Sequence, residues 1–240
     1  MYYRTGSFSF ASVLGTVKDA KTFLSKKDSK NYTALTVVTS EKYKTKEGEE
    51  KTSVSEVKAF VEGSLLDSRT GNVVLVEGDV GTANVAFKTE SKYPVTQVVI
   101  TNARVQKIAD VASPEFSGLN SFEMIGRVGR DPREIKSKTG GSEFCIAVSP
   151  KDMETQWIPV LFWGARGKKL VEIAHKGDLV RISARGALAT KKVQDEEKKV
   201  LSLFGTDLQI LKKKDVDSTG ASTDTVEQTA IEDDPEDAPF

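Results

Sequence analysis

The chain has 240 residues, 38% of them hydrophobic, enough for one large or two ordinary domains, and no apolar run approaches the roughly 20 residues of a membrane-spanning helix. Its formal net charge of zero is a cancellation: residues 1–117 carry 16 Lys+Arg against 14 Asp+Glu, residues 118–214 carry 19 against 12, and residues 215–240 carry none against nine. One cysteine excludes an intramolecular disulfide, and Met1 to Ser7 shows no charged-then-apolar order, so an intracellular chain without a signal peptide is expected.

In chain order, alternation begins at Phe8 and Phe10 and runs through Val13-Leu14-Gly15-Thr16-Val17. β-branched runs follow at Tyr32 to Val38, Val73 to Val76 and Val95 to Ile100, separated by polar turn segments such as 26–31 and 45–48. Short strands at this spacing predict a sandwich or barrel. Each half has room for one short helix. In the second half, Arg166 to His175 carries Leu170, Val171 and Ile173 ahead of Lys176-Gly177, a helix stop.

The pattern repeats. Val13 to Val17 matches Met124 to Val128 at an offset of 111, and Ala34 to Val38 matches Phe144 to Val148 at 110. Val73 to Gly78 matches Arg181 to Gly186 at 108, and Thr101 to Val105 matches Gly205 to Gln209 at 104. Two β units of about five strands are therefore expected, residues 1–108 and 119–214. The small, polar, Pro-containing stretch 109–118 reads as a linker. From Asp215 onward there is no apolar periodicity, and an acidic segment of that composition is expected to be disordered.

No catalytic, metal or cofactor pattern stands out. His175 and Cys145 are the only residues of their types. Cys145 alternates with Phe144 and Ile146 and reads as a small core residue, and no Cys or His pair has metal-ligand spacing. What stands out is the run Trp157 to Gly164. Its alternation puts Ile158, Val160 and Phe162 on a core face and Trp157, Pro159, Leu161 and Trp163 on the other. An outward indole is a platform for a nucleobase, worth about 1–3 kcal/mol per stacked base; alternatively, one tryptophan is core and the other packs on the partner repeat. Arg127, Arg130, Arg133, Arg166, Lys168, Lys169, Arg185, Lys191 and Lys192 are candidate phosphate contacts.

These segments resemble the bacterial and phage single-stranded DNA-binding proteins of the OB-fold family. Ile125 to Pro132 looks like the family's opening Ile-Gly-x-Leu-Gly-x-Asp-Pro strand, Trp157 to Gly164 like its Trp-His-x-Val-x-x-Phe-Gly strand, and 176–186 like its Lys-Gly-x-x-Val-x-Val-x-Gly segment. By position, Trp157 matches a stacking tryptophan and Trp163 a stacking phenylalanine; two further platforms, near Met153 and Val193, are missing. The first repeat is the weaker likeness. Tyr43, in Thr39-Ser40-Glu41-Lys42-Tyr43, is its stacking candidate, but Glu56 and Glu62 stand where the second repeat has Trp157 and Trp163. Glu232 to Phe240 resembles the family's acidic tip closing on Pro-Phe.

The resemblance implies an all-β protein with short helices: two tandem five-stranded OB barrels and a disordered acidic tail. It implies sequence-independent binding of single-stranded DNA in replication, recombination and repair, no enzymatic activity and no cofactor. A tip of Asp233, Asp234, Asp237, Pro239 and Phe240 would recruit replication and repair proteins. Two barrels per chain imply a homodimer, and the expected location is the bacterial cytoplasm or nucleoid, with a phage origin open. The alternatives are a replication accessory whose barrels mainly make protein–protein contacts, and an RNA-binding OB protein.

Overall fold

The structure is a computed structural model that describes residues 7–26, 28–44, 48–63, 69–87, 95–113, 116–136, 139–149, 154–193 and 195–214, the side chains of residues 43 and 44 excepted. In chain order the elements are β1 (Phe8–Leu24), β2 (Asn31–Lys44), β3 (Glu50–Glu62), β4 (Val73–Asn84), β5 (Thr96–Ala109), β6 (Leu119–Val128), β7 (Arg133–Glu134), β8 (Gly141–Val148), β9 (Gln156–Trp163), α1 (Gly164–Ile173), β10 (Leu179–Val193) and β11 (Glu196–Lys212). Strand alternation does what the sequence reading asked of it. On β9, Ile158, Val160 and Phe162 are fully buried, and Trp157, Pro159, Leu161 and Trp163 face outward.

Pairing closes two barrels. β1 pairs with β2 and β4, β2 with β3, and β4 with β5, and the circuit shuts where β3 meets β5 in parallel at Ala59↔Ile100. The second circuit copies the first strand for strand. β6 pairs with β8 and β10, β8 with β9, and β10 with β11, and β9 meets β11 in parallel at Val160↔Leu203. Two five-stranded OB barrels stand in tandem, with β7 an extra ribbon on β8. Each core is one face of every strand, from Val13, Leu35, Val76 and Ile100 in the first to Phe122, Phe144, Phe162 and Leu203 in the second. Phe144 and Phe162 meet edge to face at 5.3 Å.

The repeat holds, with its offsets corrected by the pairing. A Cβ on Gly15 would lie 2.4 Å from the Val38 carbonyl oxygen, and one on Gly126 would lie 2.5 Å from that of Ala147. The two glycines are equivalent at 111, but Val38 is then equivalent to Ala147, an offset of 109 rather than 110. A one-residue slip turns every side chain to the other face. Leu35 therefore corresponds to Phe144, both fully buried, and Cys145 is not a core residue: it is half-exposed, opposite Pro159 on the outward face. Likewise Val76↔Val105 and Ile182↔Leu208 give 106 for β4/β10 and 103 for β5/β11.

Helix α1 starts two residues before the expected Arg166 and ends at Ile173. The Ala174 amide still bonds to the Leu170 carbonyl, and the chain turns at Gly177, whose φ of 97° suits glycine. A matching helix in the first half would fall near residues 64–68, outside the described residues. The two barrels share one continuous sheet, because β1 and β6 pair antiparallel from Phe8↔Ile125 to Leu14↔Leu119. The Gly118 amide bonds to the Ser40 carbonyl, Ser55 Oγ to the Gly186 carbonyl, and Arg185 to Glu41 at 2.5 Å. The barrels are locked edge to edge.

Candidate nucleic-acid interface

The outward face of β8 and β9 carries the aromatic groups. Trp157 is 55% exposed and its six-membered ring packs against Gly129, where a Cβ would come within 2.4 Å of Cζ3. A side chain there would lift the ring. Trp163 is half-buried over its cross-strand partner Gly141. Pro159 and Leu161 lie between the two indoles on β9, with Cys145 and Glu143 opposite them on β8, while Ala147 faces Trp157 and Gly141 faces Trp163. The result is a largely apolar strip with an indole at either end, small residues opposite each indole, and the Glu143 carboxylate held within it by Arg130. Cys145 sits in its middle. Burial pushes its thiol above the usual range, Arg130 pulls the other way, and Glu143 adds to the rise.

The basic candidates divide by what already holds them. Arg130 pairs with Glu143 at 3.0 Å beside the strip, and its buried Nε has no hydrogen-bond partner among the described residues. Arg133 is exposed on β7 opposite Glu143. Lys168 lies along Gly140, next to the seat of Trp163, and Lys169 is exposed on α1. Lys191 and Lys192 are exposed near the tip of the β10–β11 hairpin, Lys192 at 3.8 Å from Glu197. Three others are committed to the protein. Arg127 donates to the Gly177 carbonyl at 2.8 Å, Arg166 donates to the Thr206 carbonyl and lies 3.8 Å from Asp207, and Arg185 reaches Glu41 of the first barrel.

Tyr43 lies on β2 opposite Lys51, its side chain outside the described residues. The tip residues Asp233, Asp234, Asp237, Pro239 and Phe240 lie outside them too. On β3, the first-barrel strand equivalent to β9, the two acidic residues are neutralised: Glu56 bonds to Lys18 at 2.6 Å and Glu62 to Lys30 at 2.7 Å. Between them Phe60 meets Phe23 edge to face at 6.3 Å, and Phe23 stacks on Tyr32 at 6.2 Å. The sequence reading missed this aromatic group. Its signal was available in Phe60 alternating with Glu56, Lys58 and Glu62, but the two carboxylates dominated the reading of that face.

Among the described residues no group of three or more His, Cys, Asp or Glu side chains could hold a metal ion, and no helix is long and apolar enough to cross a membrane.

Residues 119–211 match the Single-strand binding protein family. The chain is 34% identical over 83 residues to the single-stranded DNA-binding protein of Thermosynechococcus vestitus, covering 32% of this chain and 67% of that one. It is 28% identical over 106 residues to single-stranded DNA-binding protein 1 of Clostridium acetobutylicum, covering 40% of this chain and 96% of that one. The wild-type single-stranded DNA binding protein from Thermus aquaticus superposes with a TM-score of 0.65 at 13% identity, over 91% of this chain and 97% of that one. A deletion mutant of the same protein gives 0.66 at 14% identity, over 88% and 98%. At these identities the Thermus structures bear on the fold alone, and that likeness extends across both barrels.

Proposed function

The chain belongs to the single-strand binding protein family, and from that membership we propose that it binds single-stranded DNA without sequence preference, protects it during replication, recombination and repair, and recruits other proteins through its C-terminal tip. It is a binding protein, not an enzyme. The observation that carries the reading is Trp157, an indole 55% exposed and packed against Gly129. An exposed indole backed by the protein on one side offers a base a stacking platform on the other, worth about 1–3 kcal/mol.

We assign residues 1–108 to the first barrel, 109–118 to the joint, 119–214 to the second barrel and 215–240 to the tail. The second barrel carries most of the DNA contact in this reading, through Trp157, Trp163, Arg130, Lys168 and Lys169. A second element of the proposal is self-association. Phe8 and Phe10 are 40% and 37% exposed and Leu119 is 48% exposed, all on the outer face of the β1/β6 seam, with Ile125, Leu14 and Leu75 beside them. Phe10 lies opposite Glu123, which Arg181 neutralises, and Ser12 opposite Ser121; a mainly apolar face centred on a seam of two like barrels suits a two-fold contact with a second copy.

The test is a titration of intrinsic tryptophan fluorescence with poly-dT, duplex DNA and poly-U at two salt concentrations. Poly-dT should quench most strongly and bind more weakly as salt rises. Trp157→Ala should weaken binding by about 1–3 kcal/mol with the fold intact, and Trp163→Ala by a smaller amount. Two folded variants with unchanged affinity would sink the stacking assignment.

A further inference from the structure

We propose that the cleft between the barrels binds phosphodiester, bridging a single strand from the tryptophan face of the second barrel to the first, with Lys58 and Lys199 as its contacts. The inference rests on the single-strand reading above. The cleft measures about 360 Å³ and lies between β3, the β4 and β5 ends and β11. Lys58, Lys198 and Lys199 converge on it, Asn84 and Gln97 add amide groups, and among the described residues no carboxylate lines it. Lys198 is part of the floor: its ammonium lies 4.9 Å from the Phe87 ring centroid, pairs with Glu196 at 3.0 Å and donates to the Ala86 carbonyl. Lys58 and Lys199 are exposed and have no ion-pair partner among the described residues. Lys58 and Lys199 bring two positive charges to the cleft beyond the one that Glu196 balances, and an anion entering there relieves their repulsion.

The surroundings say which anion. At one side, the Gln156 side chain takes the Thr82 amide at 3.4 Å, so Trp157 is one residue from the barrel junction and Asn84 two residues beyond Thr82. At the other side, Lys58 alternates with Phe60 on the outward face of β3, and Phe60 meets the exposed Phe23. The basic cleft therefore lies between two aromatic groups, one per barrel. A strand whose bases stack on both must carry its backbone between them. The β1/β6 pairing joins the barrels in one sheet, so both walls of the cleft belong to one hydrogen-bonded framework.

The experiment uses the full chain and its Lys58→Gln/Lys199→Gln double variant with two thymidine oligomers, one of about 8 nucleotides, within the 4–16 covered by one barrel, and one of about 40. For the long oligomer, the slope of log K against log salt should become shallower by about 0.7 per lost phosphate contact, about 1.4 in all, with a matching loss of affinity at low salt. The short oligomer should bind both proteins alike. An unchanged slope with the long oligomer, or an equal loss with both lengths, would overturn the bridge. Failure of the unsubstituted protein to bind either length would overturn the single-strand reading itself, and the bridge with it.

Discussion

At Cys145 the inference from alternation alone reversed the side chain's direction. The alternation of Phe144, Cys145 and Ile146 fits either face, and matching the repeat at 110 put the thiol with Leu35 in the core. The pairing of Val128 with Ile146, equivalent to that of Val17 with Val37, turns it outward into the middle of the tryptophan strip. The thiol therefore reports on occupancy of that strip. Burial holds it mostly protonated at neutral pH, so labelling by a maleimide should be slow at pH 7 and quicken as pH rises through and beyond the usual thiol range. Saturating oligo-dT should slow the labelling several-fold. Equal rates with and without the strand would remove DNA from this face. Trp157 and Trp163 were half legible from the same kind of pattern: Ile158, Val160 and Phe162 make an adequate core face, but the other face of β9 is apolar too, and the burial of the first set is what turns both indoles outward. Gly129 and Gly141, which seat the indoles, were legible only as glycines, since what approaches them comes from other strands.

At the scale of elements, β10 and β11 are tied to the helix by a buried carboxylate that the sequence reading passed over. Asp178 is 1% exposed. It accepts the His175 amide at 3.0 Å and the Lys214 amide at 2.9 Å, with the Lys213 ammonium at 3.2 Å. Burial alone would raise its pKa, but these donors outweigh it and hold the carboxyl below the usual range. With the folded value below the unfolded one, the carboxylate stabilises the fold above pH about 4, and that contribution is lost as pH falls through the folded value. Asp178→Asn should cost about 2 kcal/mol at pH 7 and flatten the acid limb of a urea-midpoint profile. A variant with the same midpoints as the parent across pH 2–7 would refute this. The strand order of each barrel was visible in the repeating apolar runs. Their registers were not, because loops of unequal length hide a slip of one or two residues, and β-bulges at Val17/Asp19 and Ser183/Ala184 add further shifts.

At the scale of the molecule, assembly and tail regulation both follow from how charge and apolar surface are divided. Light scattering at micromolar concentration should give twice the 26.2 kDa chain mass, and Phe8→Asp with Phe10→Asp should return it to one chain; a single-chain mass for the parent would reject the dimer. The tail carries nine acidic residues beside a second barrel with a net charge of +7. Removing residues 215–240 should therefore raise DNA affinity at low salt, with the gain fading as the Debye length shrinks. Deleting Phe240 alone should leave DNA binding unchanged while ending capture of replication proteins, and an identical pull-down with and without Phe240 would count against the tip. The sequence by itself determined the two β units, the alternating faces of β9 and the charge partition, because each is a property of local alternation or composition. Only the tertiary structure decided the register of the repeat, the side on which Cys145 lies, the neutralising of Glu56 and Glu62, and the lysine cleft. Each of those depends on which strands lie side by side, and contacts between residues dozens of positions apart leave no local trace in the chain.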